Sequence, residues 1–213
     1  MISENIKKAK TIFWDFDGVI KDSVSVKSDA FEELFLPFGS DVAKKIRMHH
    51  EDNGGMSRYD KLPIYLNLAG EKNSTDSISK YEKQFSKLVM NRVINSPWVE
   101  GVLEYIKTNY KAQKFFLITA TPQKEIEEIL KKLEISKYFK KVIGSPTNKK
   151  DAIKVILSNE NINLDDSIMI GDSCSDYEAA KENNVFFVFR KTDLNKKLQK
   201  KLKCQMIENF IDG

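Results

Sequence analysis

The chain has 213 residues, 41% hydrophobic and 31% charged, and its 35 basic and 31 acidic side chains leave a formal net charge of +4. That length holds one substantial core, or a core carrying a smaller insert, and no stretch approaches the roughly 18–20 continuous apolar residues of a membrane span. The polar start "MISENIKKAK" argues against a secretory signal, and Cys174 and Cys204 are too few and too far apart for a disulfide framework or a zinc site, so a cytoplasmic protein without a membrane partner is expected. Lys-rich patches such as "DLNKKLQKKLK" read as solvated faces rather than nucleic-acid sites, while the mild positive field favours a small anionic substrate.

The first predicted strand is "TIFW", residues 11–14. It ends in two carboxylates one residue apart, Asp15 and Asp17, followed by Gly18. Two acids this close repel, and each resists desolvation unless something positive compensates. Taken alone, an ordinary strand end with an Asp-Gly turn accounts for the stretch equally well.

From about 24 to 96 no convincing strand is predicted, but several helical patterns are, including "DAFEELFLPFG", "VAKKIRMHH", "RYDKLPIYLNLAG" and "SISKYEKQFSKLVMNRVI". Gly54 and Gly55 break this run just before Arg58, where a flexible turn would present a guanidinium toward the rest of the protein. His49 and His50 read as packing or helix-end residues, Lys27, Arg47 and Asn53 as weaker candidates for contact with a substrate, and Tyr59, Tyr65, Tyr81 and Phe85 as core of this segment.

Beyond it, apolar runs alternate with helical periods: a helix at about 97–109, a strand at 114–119, a helix at 122–134 with Pro122 just inside its start, a strand at 141–144, a helix at 149–160, a strand at 167–171, a helix at 175–184 and a strand at 185–189. That beat predicts a parallel sheet with crossover helices. In such a sheet the site lies outside the carboxyl ends of the strands. Asp15 and Asp17, Thr119 and Thr121, Lys149 and Lys150, and Asp172 and Asp176 all follow strand ends. Carboxylates gathered there are costly without a hard divalent cation, and an oxygen-only set suits Mg2+. With a hydroxyl and an ammonium beside it, such a site suits phosphoryl transfer: an aspartate attacks phosphorus, cations neutralise charge, and a second acid moves the proton. No Gly-x-Gly-x-x-Gly or Gly-Lys-Ser/Thr loop occurs.

"DFDGVI", "LITAT", the lysine near 149 and "GDSCSDYEAA" resemble, in order, the four motifs of the haloacid dehalogenase-like superfamily, over essentially the whole chain. The resemblance implies an α/β fold: a Rossmann-like three-layer core with a parallel sheet (1–22 and 97–213) and an inserted all-helical cap (23–96), as in phosphoglycolate phosphatase and beta-phosphoglucomutase relatives. It implies Asp15 as nucleophile, Asp17 as general acid/base, Thr119 as phosphate binder with Gly18 and Ala120 beside it, and Lys149 as the charge-balancing lysine. Magnesium would be held by Asp15, the backbone carbonyl of Asp17 and Asp172, with Asp176 orienting the metal shell or the lysine. Asp176 also reads as an N-terminal helix carboxylate. The family's "Lys-Pro-x-Pro" is replaced by "SPTNKKDAI", so Lys149 and Lys150 compete, with Lys149 preferred for its position two residues before an acid at a helix start. Gly55, Ser57 and Arg58 resemble the substrate-specificity loop of helical-cap members. The expected activity is magnesium-dependent hydrolysis of a small phosphorylated metabolite by a monomer or homodimer. A sugar phosphomutase is the alternative, disfavoured because Gly171-Asp172 stands where mutases carry Glu-Asp. Asp17 and the complete motif set speak against haloalkanoate dehalogenation and against a non-catalytic scaffold.

Overall fold

The computed structural model describes residues 2–211. Six strands form one parallel sheet: β1 (Thr11–Trp14), β2 (Lys114–Pro122), β3 (Lys141–Ser145), β4 (Ser167–Gly171), β5 (Phe186–Arg190) and β6 (Gln205–Ile207), in the order β3-β2-β1-β4-β5-β6. Successive side chains of a strand point to opposite faces, and here both faces are covered, so the runs read as continuously apolar. Ile12, Trp14, Phe115, Leu117 and Ile170 enter one core with the helices α6 (Val102–Asn109) and α7 (Gln123–Lys132). Their neighbours Phe13, Phe116, Ile118, Met169 and Phe187 enter a second core with α8 (Lys149–Asn159) and α9 (Cys174–Glu182). The result is the expected three-layer α/β arrangement.

Strand order reverses at β1: β2 and β3 extend the sheet one way, β4 to β6 the other. The crevice between the carboxyl ends of β1 and β4 is therefore the topological switch point, where open α/β sheets place ligands. In-register pairing of Trp14 with Ile170, and the Asp15 amide donating to the Ile170 carbonyl at 3.0 Å, set Asp15 and Asp172 side by side there.

Between β1 and β2 the chain is helical: α2 (Val24–Phe35), α3 (Ser40–Asp52), α4 (Arg58–Leu68) and α5 (Thr75–Asn95). Phe31, Phe35, Tyr65, Tyr81 and Phe85 are buried and stack on one another, while Tyr59 is only half-buried. The chain enters and leaves this segment through adjacent backbone, the Asp22 amide donating to the Pro97 carbonyl at 2.9 Å and Val99 to Ile20 at 3.1 Å.

Some boundaries and elements differ from expectation. Pro122 ends β2 instead of opening α7, because its extended backbone stays paired with Ser145 after a register shift. Residues 97–101 form a turn held by Ile20 and Asp22, which delays the helix to Val102. The edge strand β6, the short helix α1 (Glu4–Lys8) and the Lys-rich α10 (Lys196–Lys201) carry too little periodicity to be read from sequence. No helix among the described residues is long and apolar enough to cross a membrane.

Candidate active site

The turn after β1 is built to hold carboxylates close together. Residues 16–21 wind into a tight turn, with the Ile20 amide donating to the Phe16 carbonyl at 2.9 Å and Gly18 to Lys21 at 2.7 Å. Gly18 has φ +76°, and a Cβ there would fall on Asp172 Oδ2, so both backbone and space require glycine. Arg190 Nη1 donates to the Gly18 carbonyl at 3.2 Å and pins the turn to the end of β5.

Asp15, Asp172 and Asp176 each offer an oxygen within 4.8 Å of the other two. Burial drives the Asp15 carboxyl up to about 7, with Asp176 adding repulsion and Lys149 opposing it. Asp172 is pushed well above the carboxylate range, by burial first and then by Asp15 and Asp176. Lys149 Nζ lies 2.9 Å from Asp15 Oδ1 and 2.6 Å from Asp176 Oδ1. Burial alone would lower the Lys149 ammonium, but these two carboxylates outweigh it and hold it protonated. One buried ammonium against three carboxylates leaves a deficit of positive charge. A hard, oxygen-seeking divalent cation fits that deficit and the all-oxygen donor set.

Lys149 is buried, while Lys150 is exposed and pairs with Glu182, so only Lys149 is in position for the charge-balancing role. Asp176 uses its two oxygens differently. Its Oδ2 closes a capping box at the start of α9, accepting from the Ser173 amide at 3.2 Å and the Ser173 hydroxyl at 2.6 Å, and its Oδ1 receives Lys149.

The Asp17 carboxylate is directed away from this cluster. It accepts Lys27 Nζ at 2.5 Å, the Ser23 hydroxyl at 2.6 Å and Thr121 Oγ1 at 3.1 Å. Burial pushes Asp17 up, but Lys27 and these hydrogen bonds outweigh it and hold the carboxyl below its ordinary value. Thr119 is buried at the end of the straight part of β2, with its Oγ1 accepting the Thr121 amide at 3.2 Å, and with Ala120 it borders the chamber above the acids.

That chamber has a volume of about 610 Å³ and lies between the sheet edge and the helices α2 to α4. Gly55 approaches the loop after β4 so closely that a Cβ would collide with the hydroxyls of Ser173 and Ser175. Two expectations in this region need correction. Arg58 is not a free substrate-facing guanidinium, although it borders the chamber. It is 5% exposed, and it pairs in bidentate fashion with Glu125 of α7 at 2.7 and 2.5 Å, donates to Ser86 Oγ at 2.6 Å, and stacks on Phe85. Burial demands a counter-charge for the guanidinium, and α7 supplies it. The Ser57 hydroxyl caps α4, accepting from the Asp60 amide at 3.3 Å and donating to Asp60 Oδ2 at 2.6 Å, so its polar capacity is spent locally. Arg47 is held by Asp29, Glu32 and Glu51, and Asn53 caps α3 by donating to the His49 carbonyl at 2.9 Å.

Several contributors escaped sequence reasoning. Lys27 carries the strongest contact to Asp17 and was only a weak candidate; Ser23, Glu125, Lys61 and Asn195 had no motif. Asn195 donates to the Asp172 carbonyl at 2.9 Å, and its place in the loop after β5, at the same sheet edge, was the available signal.

The family model described as haloacid dehalogenase-like hydrolase matches residues 12–189. A phosphorylated carbohydrates phosphatase of Thermotoga maritima is 26% identical over 184 residues, covering 83% of this chain and 82% of that protein. A phosphoglycolate phosphatase of Pseudomonas putida is 24% identical over 188 residues, covering 83% and 67%. The solved structure of a beta-phosphoglucomutase from Clostridium difficile superposes with a TM-score of 0.74 over 95% of this chain and 92% of that one, at 20% identity, a likeness of fold.

Proposed function

The chain belongs to the haloacid dehalogenase-like hydrolases and is a phosphatase among them, and from that premise we propose that it hydrolyses a small phosphorylated metabolite, with magnesium and through a phosphoaspartate on Asp15. The observation that carries this reading is the buried group of Asp15, Asp172, Asp176 and Lys149 at the switch point, short of one divalent positive charge.

Asp15 and Asp172, with the Asp17 carbonyl, would hold magnesium, which when bound neutralises phosphoryl oxygen charge and lets Asp15 ionise. Asp15 supplies the carboxylate oxygen that attacks phosphorus, and Lys149 keeps that carboxylate oriented while its ammonium faces the transferred group. Thr119 binds a phosphoryl oxygen, as its place at the end of β2 favours. The Lys27 bond holds Asp17 as a carboxylate, the form that takes a proton from water in the second step. Its acid role in the first step, protonating the leaving alkoxide, requires that bond to open.

The proposed division is a catalytic core, 1–22 and 97–213, and a specificity cap, 23–96. The paired crossing segments around Asp22 and Pro97 support it, since they make a narrow double connection on which α2 to α5 can move as a unit. Gly171 favours hydrolysis over mutation of sugar phosphates: a Cβ there would run into Asp176, so the glutamate of the mutase pattern has no room.

The deciding experiment is phosphate release from a panel of phosphorylated metabolites, with and without magnesium, beside Asp15→Asn. Magnesium-dependent release lost in the variant is the expected result. Interconversion of hexose 1- and 6-phosphates without net release would overturn it in favour of a mutase.

A further inference from the structure

The chamber is polarised. Its floor carries Asp15, Asp17 and Asp172, and its roof, on the helical segment, carries Lys27, Lys61, Arg58 and His50. The roof's cations differ in how they are satisfied. Lys27 is taken by Asp17 and Arg58 by Glu125, and the acids at the rim are also occupied, Glu51 by Arg47 at 3.0 Å and Asp52 by Lys197 at 2.8 Å. Lys61 is the exception. Its side chain is 1% exposed, and its ammonium meets only His50 Nδ1, at 2.8 Å; no carboxylate pairs with it among the described residues.

His50 is 4% exposed and packs against the Phe31 ring at 5.0 Å between centroids. Burial, and then Lys61, keep its imidazole well below the ordinary histidine range, so the ring is neutral and accepts one Lys61 N–H. The other two N–H groups have no acceptor in the structure. A buried ammonium left this way is costly, and burial together with Lys27 lowers it to about 7. Folding alone does not call for it: a methionine of similar length would fill the same buried place without the penalty.

We propose that Lys61, positioned by His50, is a subsite for a second anionic group on the leaving-group side of the substrate, so that the metabolite carries a carboxylate or a second phosphate in addition to the phosphoryl group that is cleaved. This rests on the phosphatase reading and sharpens it, for a neutral sugar leaving group would leave the buried cation unpaired. The anion completes the ammonium's missing hydrogen bonds in a water-poor chamber, where charge-assisted bonds are strongest. Lys61 lies one turn beyond Arg58 on α4, so the anion would also tie α4 to a substrate fixed on the sheet.

Binding of non-hydrolysable analogues, measured by titration calorimetry in magnesium, tests this without requiring turnover. The set is 3-phosphonopropionate, propane-1,3-bisphosphonate and the neutral-tailed propylphosphonate, against the wild type and Lys61→Met. In the wild type, at least one doubly anionic analogue should bind about tenfold to a hundredfold tighter than propylphosphonate. In Lys61→Met that ratio should fall toward one, while Lys61→Arg should retain most of it. The better of the two doubly anionic analogues tells a carboxylate from a second phosphate. Equal affinities in the wild type, a comparison that needs no variant to fold, or an unchanged ratio in Lys61→Met would overturn the proposal. Magnesium-dependent phosphate release from a panel of phosphorylated carboxylates and bisphosphates, run in parallel, reads the phosphatase separately: its absence with the binding preference intact sinks that reading and leaves the anion subsite standing.

Discussion

The two adjacent lysines show how much one residue of register decides. Lys149 stands between Asp15 and Asp176 in a buried pocket, and Lys150, on the next face of the helix, is exposed beside Glu182. Lys149→Met should lower kcat/KM by about a hundredfold to a thousandfold, since it removes the fixed charge facing the phosphoryl group, whereas Lys150→Met should leave both turnover and melting temperature unchanged. A comparable loss in both variants would refute the assignment. The acids make a further prediction. Because Asp15 is raised from 3.8 to about 7, the folded state holds a proton there that the unfolded chain has lost, so its contribution to the stability of the metal-free protein falls as pH rises through that window. Magnesium competes for the deprotonated form and should raise the melting temperature by several degrees at pH 8 and little at pH 5. Calorimetric scans at the two pH values, with and without the ion, check the sign. Gly18→Ala should be destabilising and inactive even though it adds a single methyl, because it meets Asp172 and carries a positive φ.

At the scale of elements, the junction between α4 and α7 is the informative one. Arg58 opens α4 and Glu125 lies in the first turn of α7, so their bidentate pair fastens the helical segment to the core through fully desolvated groups. Glu125→Gln leaves the guanidinium buried against a neutral amide and should cost about 3–5 kcal/mol by chemical denaturation. The double variant Arg58→Met/Glu125→Leu should recover most of that loss, because two apolar groups need no partner. Failure of the double variant to recover would mean that the pair is held for something other than charge balance. Motif comparison placed Arg58 in a substrate loop; the structure gives it a counter-charge on α7, because sequence spacing cannot say which of two facing surfaces carries the matching acid.

At the scale of the molecule, a site between sheet and helical segment implies that substrate entry and water exclusion depend on their separation. Magnesium with a phosphate analogue such as vanadate should slow hydrogen exchange in the 53–57 loop and at the crossing segments near 20–22 and 97–99. Unchanged exchange there, with the analogue demonstrably bound, would count against a moving cap.

The sequence by itself determined the sheet and which polar side chains stand at its edge. Each of "TIFW", "KFFLIT", "SIMIG" and "VFFVF" is a run long enough to be buried on both faces, and the residue that follows a strand end in a parallel sheet is placed by the strand itself. That is why the positions of Asp15, Thr119 and Asp172 at the sheet edge were legible, each being local to its own strand end, whereas the choice between Lys149 and Lys150 was left to the structure. Pairings between elements distant in sequence were decided only by the tertiary structure: Lys27 with Asp17, Arg58 with Glu125, Lys61 with His50, and Asn195 with Asp172. A buried charge must find its partner in three dimensions, and helical periodicity records which face is apolar without recording what that face will meet.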